Sequence, residues 1–306
     1  MDRVYYGDNL PLLQEMASSS VDLIYIDPPF NTGKVQSRVR IKTVRSEAGD
    51  RIGFQGRRYQ TIQIGSKSFS DVFDDYLAFL EPRLFEAYRV LAPHGSLYFH
   101  VDYREVHYCR ILLDSIFGRE CFLNEVIWAY DYGGRPRKKW PPKHDNILVY
   151  VKDREKYTFN VEAIERIPYM APGLVGPEKA ARGKLPTDVW WHTIVPTNGK
   201  ERTGYPTQKP VGILERIVEA SSNPGDLVLD FFAGSGTTGA ACLALGRRFI
   251  LIDNNPEALE VMARRFDGVP SIDWIGFDPR PFQHTSLFDI LPEPDGVKPD
   301  QEVARW

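Results

Sequence analysis

Residues 227–253, LVLDFFAGSGTTGAACLALGRRFILID, contain the strongest indication of fold in this chain. An apolar strand runs into a glycine turn, an alanine-rich helical stretch follows, and a second strand ends in an acid. Gly234, Gly236 and Gly239 fit the pattern GxGxxG, and Asp253 follows Gly234 by 19 residues, near the spacing at which an acid meets a ribose hydroxyl. The stretch therefore predicts a nucleoside cofactor at this turn, with a glycine turn that binds no ligand as the alternative.

The residue that ends the first of these strands bears on which cofactor is bound. Asp230 precedes the turn, and residues 231–306 are too few for the remaining strands of a dinucleotide domain, so the rest of the sheet must come from upstream. A carboxylate here would repel a pyrophosphate but would attract the ammonium group of an amino acid. S-adenosylmethionine, which carries an ammonium, a sulfonium and a ribose, therefore fits better than a nicotinamide dinucleotide, and a nicotinamide-dependent oxidoreductase is the alternative.

A second strand, LIYIDPPFN at residues 23–31, runs into a carboxylate, two prolines and an aromatic ring. The prolines have no N–H and cannot continue a strand ladder, so the strand must stop at Asp27. Ligands bind outside the carboxyl ends of the strands in open α/β sheets. If this strand lies beside the one that ends at Asp230, then Asp27 and Phe30 face the bound cofactor. The alternative is a Pro-Pro terminator with a solvated carboxylate.

These residue types suit methylation of an exocyclic amine. The lone pair of such a nitrogen is delocalised into the ring until hydrogen-bond acceptors draw its protons out of plane. Asp27 and the Pro28 carbonyl can accept the two N–H bonds, Pro29 stiffens the loop, and Phe30 offers a face for stacking. A base inside a duplex cannot reach such a pocket, so it must be flipped out at a cost of a few kcal/mol.

Short apolar strands alternate with helical patterns along most of the 306 residues, which is typical of an α/β fold. Residues 1–152 and 206–270 are predicted to form the two halves of one α/β domain, with 153–205 inserted between them and 271–306 as a C-terminal extension. The first half contains a basic insert at 34–70 whose pattern is that of an exposed β-ribbon. Strands are expected near residues 3–6, 21–26, 96–101, 122–129, 146–151, 227–231 and 248–252.

Composition argues against membrane, metal and disulfide chemistry. No run of about 18 apolar residues is present, and MDRVYYGDNL lacks the residue order of a signal peptide. Cys109, Cys121 and Cys242 are isolated within apolar patterns, and the histidines form no HExxH motif. We therefore expect a cytoplasmic protein without a bound metal.

The net charge is −3, but basic residues are concentrated in two segments. Between residues 34 and 67, nine Lys or Arg stand against two acids, and the loop YDYGGRPRKKWPPKHD at 130–145 interleaves basic and aromatic side chains. Such clusters suit contacts with phosphates and unstacked bases, although solvated loops can have the same composition. The candidate DNA contacts are Arg38, Arg40, Lys42, Arg45, Arg57, Arg58, Arg135, Arg137, Lys138 and Lys139.

Motifs along most of the chain resemble those of one family. They are YGDNLPLL, VDLIYIDPPFNTG, DYLAFLEPRLFEAYRVLAPHGSLYFHVD, ILLDSIFG, FLNEVIW, KHDNILVYVK, TGYPTQKP, NPGDLVLDFFAGSGTT and GRRFILID. Together they resemble the β-class amino DNA methyltransferases, in which the catalytic motif precedes the cofactor motif, and especially adenine methyltransferases of restriction systems. The resemblance implies a Rossmann-like S-adenosylmethionine-dependent methyltransferase fold, with a seven-stranded, mostly parallel, circularly permuted sheet and an inserted target-recognition region at 153–205.

The resemblance also implies roles for single residues. It places Asp8 near the cofactor adenine, Asp253 near the ribose and Asp230 near the methionine. Lys209 could meet the methionine carboxylate, or it could be a surface lysine at a helix start. The expected cofactor contacts are Asp8, Asp27, Lys209, Asp230, Phe231, Ala233, Gly234, Ser235, Gly236, Thr237, Thr238 and Asp253.

The function expected from the residues and the resemblance is methyl transfer from S-adenosylmethionine to N6 of a flipped-out adenine at a specific site in double-stranded DNA. One rival is the same chemistry on N4 of cytosine, where a Ser often replaces the Asp of the motif. A second rival is a DNA-binding subunit that is inactive without a partner. A homodimer and a restriction endonuclease are further candidate partners, and nucleoid association is the expected location.

Overall fold

A nine-stranded sheet forms the centre of the computed structural model in the part of the chain that it describes. The structure describes residues 1–30, 34–45, 51–52, 58–71, 75–196 and 198–283, and from 34 to 71 it describes the backbone alone. In chain order the strands are β1 Asp2–Tyr6, β2 Val21–Ile26, β3 Lys34–Arg45, β4 Arg51–Ile52, β5 Arg58–Asp71, β6 Leu91–Asp102, β7 Phe122–Ala129, β8 His144–Val151, β9 Val189–Trp191, β10 Leu227–Asp230, β11 Arg248–Asp253 and β12 Ile272–Ile275. The helices are α1 Asn9–Glu15, α2 Tyr76–Val90, α3 Val106–Phe117, α4 Pro177–Arg182, α5 Val211–Ser221, α6 Thr237–Leu245 and α7 Pro256–Arg265.

The strand order of the large sheet is β12-β1-β11-β10-β2-β6-β8-β7-β9. Strand β8 is antiparallel to β6 and β7, and the other neighbouring pairs are parallel. The seven predicted strands are the seven central ones, which confirms the predicted fold class. The edge strands β9 and β12 are additional, because three or four residues are too short to show a period in the sequence. Strand β12 lies in the segment expected to be a C-terminal extension.

Alternating side chains of the central strands bury two separate apolar layers. In β2, Ile24 and Ile26 pack with α1, α2 and α3 on one face, whereas Leu23 and Tyr25 pack with α5, α6 and α7 on the other. Successive residues of a strand point to opposite faces, so a strand covered on both sides must be apolar at nearly every position. This is why LIYI, at residues 23–26, reads as a continuous apolar run.

The basic insert forms a separate three-stranded sheet. Strands β3 and β5 pair antiparallel along their length, and β4 pairs with the start of β5, which confirms the predicted ribbon at the level of the backbone. Arg57 lies outside the described residues, and so do the side chains of Arg38, Arg40, Lys42, Arg45 and Arg58. No helix within the described residues is long and apolar enough to cross a membrane.

Candidate active site

The carboxyl ends of two central strands meet at one cleft. Strands β10 and β2 are direct neighbours, with Val228 opposite Leu23 and Leu229 opposite Ile24. From β10 the chain continues to β11 on one side, and from β2 it continues to β6 on the other side. Open α/β sheets bind ligands at such a switch in strand order. A cavity of about 490 Å³ opens at this point. Its lining includes Asp8, Asp27, Pro28, Pro29, Phe30, Lys209, Asp230, Phe231, Ala233, Gly234, Ser235, Thr237, Thr238 and Asp253.

Gly236 is predicted to contact the cofactor but is not among the residues that line the cavity. Gly236 has φ of +71°, and a Cβ on it would lie 2.7 Å from Cγ of Met262. A Cβ on Gly239 would lie 2.8 Å from the ring of Phe266. The second and third glycines of the motif therefore let α6 pack closely against α7 and the sheet, whereas Gly234 lines the cavity.

Asp230 is a buried carboxylate at the centre of the cleft. It accepts hydrogen bonds from the backbone N–H of Phe232 at 3.1 Å and from the hydroxyl of Thr238 at 2.5 Å. Burial raises the pKa of Asp230 to about 7, and the charges of Asp27 and Asp253 add to the rise while the two hydrogen bonds oppose it. Both donors are neutral, so neither balances the negative charge of an ionised Asp230. A cationic group of a ligand would supply that charge and stabilise the ionised carboxylate.

Asp253 is held by the glycine turn. The backbone N–H groups of Gly234 and Asn255 each donate to one of its carboxylate oxygens at 2.8 Å. Burial raises the pKa of Asp253 to about 6, although these hydrogen bonds oppose the rise. Gly234 has φ of +51°, and a Cβ on it would lie 3.2 Å from the ring of Tyr205. The turn therefore requires glycine at this position, and it fixes a second acid at the edge of the cavity.

The two oxygens of Asp27 have different surroundings. Oδ2 is paired with the ammonium group of Lys209, which also lies 4.9 Å from the centroid of the Phe30 ring. Oδ1 is buried and accepts no hydrogen bond from any residue that the structure describes. One oxygen is therefore held by a cation, while the other is free to accept a hydrogen bond. The contact of Lys209 with a methionine carboxylate stays a prediction.

Three residues that sequence reasoning missed complete the wall around Asp8. Arg83 donates to Asp8 at 2.9 Å and to Asn9 at 2.6 Å, and its guanidinium lies 3.9 Å from the centroid of the Phe79 ring. Asn9 donates to the carbonyl of Phe231 at 2.6 Å. The signal was available, because Arg83 interrupts the apolar stripe that α2 turns toward the core, and a charge at such a position must have partners.

The basic loop lies at the same edge of the sheet as the cleft. Strand β7 runs parallel to the strands that carry Asp27 and Asp230, and the loop begins where β7 ends. Residues 131–140 are exposed, and they include Arg135, Arg137, Lys138 and Lys139. These side chains are therefore open to a large ligand that approaches the cleft.

The raised pKa of Asp230 predicts a cost in stability for the protein without cofactor. A carboxylate whose pKa is higher in the folded than in the unfolded state destabilises the fold as pH rises from about 4 to about 7. We expect Asp230→Asn to raise the free energy of unfolding at pH 8 by up to about 4 kcal/mol and to change it little at pH 4.5. Thermal unfolding of both proteins at the two pH values measures this, and an equal effect at both would contradict the assignment.

A solved structure shares the fold. The M1.HpyAVI–SAM complex matches with a TM-score of 0.54 and 22% sequence identity, and the match covers 87% of this chain and 99% of that chain. The cleft holds acids suited to an ammonium group and a ribose, and the buried Oδ1 of Asp27 without a hydrogen-bond donor among the described residues suits a further polar ligand. Fold and site together define an S-adenosylmethionine-dependent methyltransferase.

Sequence comparison then gives the family. A family model described as DNA methylase matches residues 21–264. The type II methyltransferase M.HpaI of Haemophilus parainfluenzae is 34% identical over 275 residues, which cover 89% of this chain and 77% of the relative. The DNA adenine methyltransferase YhdJ of Escherichia coli (strain K12) is 34% identical over 272 residues, which cover 86% and 82%. The chain belongs to the DNA methylase family and is an S-adenosylmethionine-dependent DNA methyltransferase.

Proposed function

We propose that this chain methylates N6 of an adenine that is flipped out of duplex DNA at a specific site. The observation that carries the proposal is the position of Asp27 and Phe30, since a free carboxylate oxygen and an aromatic face line the same cavity as Asp230 and Gly234. The similarity to a relative named as an adenine methyltransferase supports adenine over cytosine.

The cofactor residues follow from charge and hydrogen-bonding capacity. S-adenosylmethionine supplies an electrophilic methyl group when it is bound. Asp230 would hold its ammonium group, Asp253 its ribose hydroxyls and Asp8 its adenine amine, because carboxylates accept hydrogen bonds from each of these donors. Phe79 and Phe232, whose rings pack on each other at 6.1 Å and line the same cavity, would offer an apolar surface beside the adenine.

The target base would be held by the loop at the end of β2. Oδ1 of Asp27 would accept one N–H of the exocyclic amine, and the Pro28 carbonyl would accept the other. These bonds localise the nitrogen lone pair, so the amine becomes a better nucleophile. Phe30 would stack on the base. Direct transfer between two positioned groups needs no covalent nucleophile on the enzyme, since alignment supplies much of the rate.

The surrounding segments would hold the DNA. The inserted region at 153–205 is our candidate for reading the target sequence, and the loop at 130–145 and the ribbon at 34–70 for contacts with phosphates. A homodimer and a restriction endonuclease partner remain predictions from the resemblance, and sedimentation of the purified chain tests the first of them.

Mass spectrometry of nucleosides tests the proposal directly. The purified chain is incubated with duplex DNA and with S-adenosylmethionine that carries a labelled methyl group, and the DNA is then digested. Labelled N6-methyladenine is expected. Labelled N4-methylcytosine without N6-methyladenine would assign the chain to the other base. DNA binding without any transfer would favour the interpretation as a subunit that requires a partner.

The loop prediction concerns the salt dependence of DNA binding. Changing Arg137, Lys138 and Lys139 together to Gln is expected to weaken binding and to reduce the slope of log affinity against log salt by about 0.9 for each DNA phosphate that is no longer neutralised. Fluorescence anisotropy at several salt concentrations measures the slope. Arg119→Gln with Arg154→Gln is the matched control, because these residues lie next to the start of β7 and the end of β8, at the opposite edge of the sheet. An unchanged slope would show that these side chains are solvated and do not contact DNA phosphates.

A further inference from the structure

A chain of four polar side chains runs through the apolar layer beneath the cleft. The hydroxyl of Tyr25 lies 2.8 Å from Nδ1 of His100, and Nε2 of His100 lies 3.3 Å from Oδ2 of Asp145. The hydroxyl of Tyr130 donates to Oδ1 of the same Asp145 at 3.0 Å. His100 is fully buried on β6, and the four residues come from β2, β6, β8 and the residue that follows β7.

The partners determine where the protons lie. Although burial raises it, hydrogen bonds from His100 and Tyr130 and the nearby charge of Lys209 hold the pKa of Asp145 below its usual range, so Asp145 is a carboxylate and can only accept. Nε2 of His100 must therefore donate. Burial keeps the pKa of Tyr25 well above its ordinary value, so its hydroxyl keeps its proton while it hydrogen-bonds Nδ1 of His100.

Each end of this chain reaches a different functional region. Tyr25 lines the cavity, and the ring of His100 lies 5.9 Å from that of Phe30 and 5.6 Å from that of Trp128. Tyr130 is the first residue of the basic loop and packs on Trp128 at 5.2 Å. The same imidazole therefore contacts the aromatic ring proposed to stack on the base and, through Asp145, the residue from which the loop departs.

Apolar side chains of the same size would fill this layer at lower cost. Burying a carboxylate and an imidazole costs free energy, because both groups lose their hydration. A polar network in which every group has a hydrogen-bond partner also holds its side chains in one geometry. His100 and Asp145 hydrogen-bond each other, and His100 is wholly shielded from solvent. This geometry fixes two groups that line the cleft. They are the phenol of Tyr25 and the ring of Phe30 on the side next to His100.

We propose that His100 is a positioning residue for the target base: the Tyr25–His100–Asp145–Tyr130 chain holds the Phe30 ring in its stacking orientation and couples that orientation to the start of the DNA-contacting loop. The inference rests on the proposed function and deepens it. It predicts that a change at Tyr130, which does not line the cavity, alters the step that involves the target base.

Three tyrosine variants test the coupling, because removing His100 itself would leave Oδ2 of Asp145 buried without its donor. Tyr25→Phe and Tyr130→Phe each remove one hydroxyl of the chain and keep the ring. Tyr98→Phe is the matched control: Tyr98 is also buried on β6, and its hydroxyl bonds Ser221 at 2.8 Å, outside the chain. We measure kcat, KM for DNA, cofactor Kd, and the emission of 2-aminopurine at the target position.

Tyr25→Phe and Tyr130→Phe are each expected to lower kcat by about fivefold, with cofactor Kd within twofold and altered 2-aminopurine emission. The double variant should be no worse than the more impaired single one, because both hydroxyls act through one imidazole. Independent structural effects would instead multiply. Multiplying losses, or the same loss in Tyr98→Phe, would overturn the proposal.

Nitrogen-15 spectra of the histidine rings separate this proposal from the proposed function, because they need neither DNA nor turnover. In the cofactor-loaded protein, the His100 ring should be protonated at Nε2, and its signals should shift in Tyr130→Phe. A ring protonated at Nδ1 alone could not donate to Asp145, and it would overturn the proposed hydrogen-bond chain even if adenine is methylated. A wild-type protein that makes no N6-methyladenine would overturn the proposed function. The spectra would still test the hydrogen-bond chain through His100.

Discussion

Asp27→Ala is expected to lower the rate of methyl transfer by about 10²–10⁴-fold, while the Kd for S-adenosylmethionine changes by no more than a few fold. The reason is that Oδ1 of Asp27 is the free acceptor in the cavity, whereas the cofactor is expected to be held by Asp230 and Asp253. Single-turnover transfer of labelled methyl to duplex DNA measures the rate, and calorimetry without DNA measures the Kd.

Two further variants sharpen this result. Asp27→Asn keeps the shape of the side chain but removes the charge that pairs with Lys209, so it should also lose most of the activity. Asp22→Asn is the matched control, because Asp22 lies near the other end of β2 and bonds His94 and the backbone of Leu227, away from the cleft. Equal losses of transfer and of cofactor affinity in Asp27→Ala would contradict the role of an acceptor for the target amine.

Cofactor affinity is expected to rise by up to tenfold per pH unit as pH increases from 5.5 to about 7, and to level off above that. The free protein holds a proton on Asp230 below a pKa of about 7, and a bound ammonium group favours the ionised carboxylate, so binding must release that proton. Calorimetry in two buffers with different ionisation enthalpies counts the protons released. About one is expected at pH 6 and almost none at pH 8.

The same site predicts the effect of removing the negative charge of Asp230 on cofactor binding. Asp230→Asn should weaken cofactor binding by at least about 30-fold at pH 8, because losing one partner of a buried charge pair costs about 2–5 kcal/mol. Its affinity should also lose most of the dependence on pH, with a smaller part left to Asp253. A variant that binds as tightly as the wild type, or with the same pH profile, would show that the ammonium group is held elsewhere.

Most of the central sheet was predictable because the signals are local. A strand buried on both faces must be apolar at nearly every position, two prolines must end a ladder, and a glycine turn that opens a helix must carry glycine where φ is positive. These requirements act over a few residues, so they appear in VDLIYIDPPF and LVLDFFAGSG directly. The short edge strands lack such a requirement, since three or four residues paired on one side tolerate many sequences.

The amino-acid sequence was sufficient to identify the class of fold, the acids at Asp27, Asp230 and Asp253, and a cofactor with a cationic end. The pairing of Lys209 with Asp27, the packing role of Gly236 and the chain through His100 depended on tertiary structure. Each of them joins residues from distant parts of the chain, and burial, which decides which polar groups must find hydrogen-bond partners, is created only when those parts pack together.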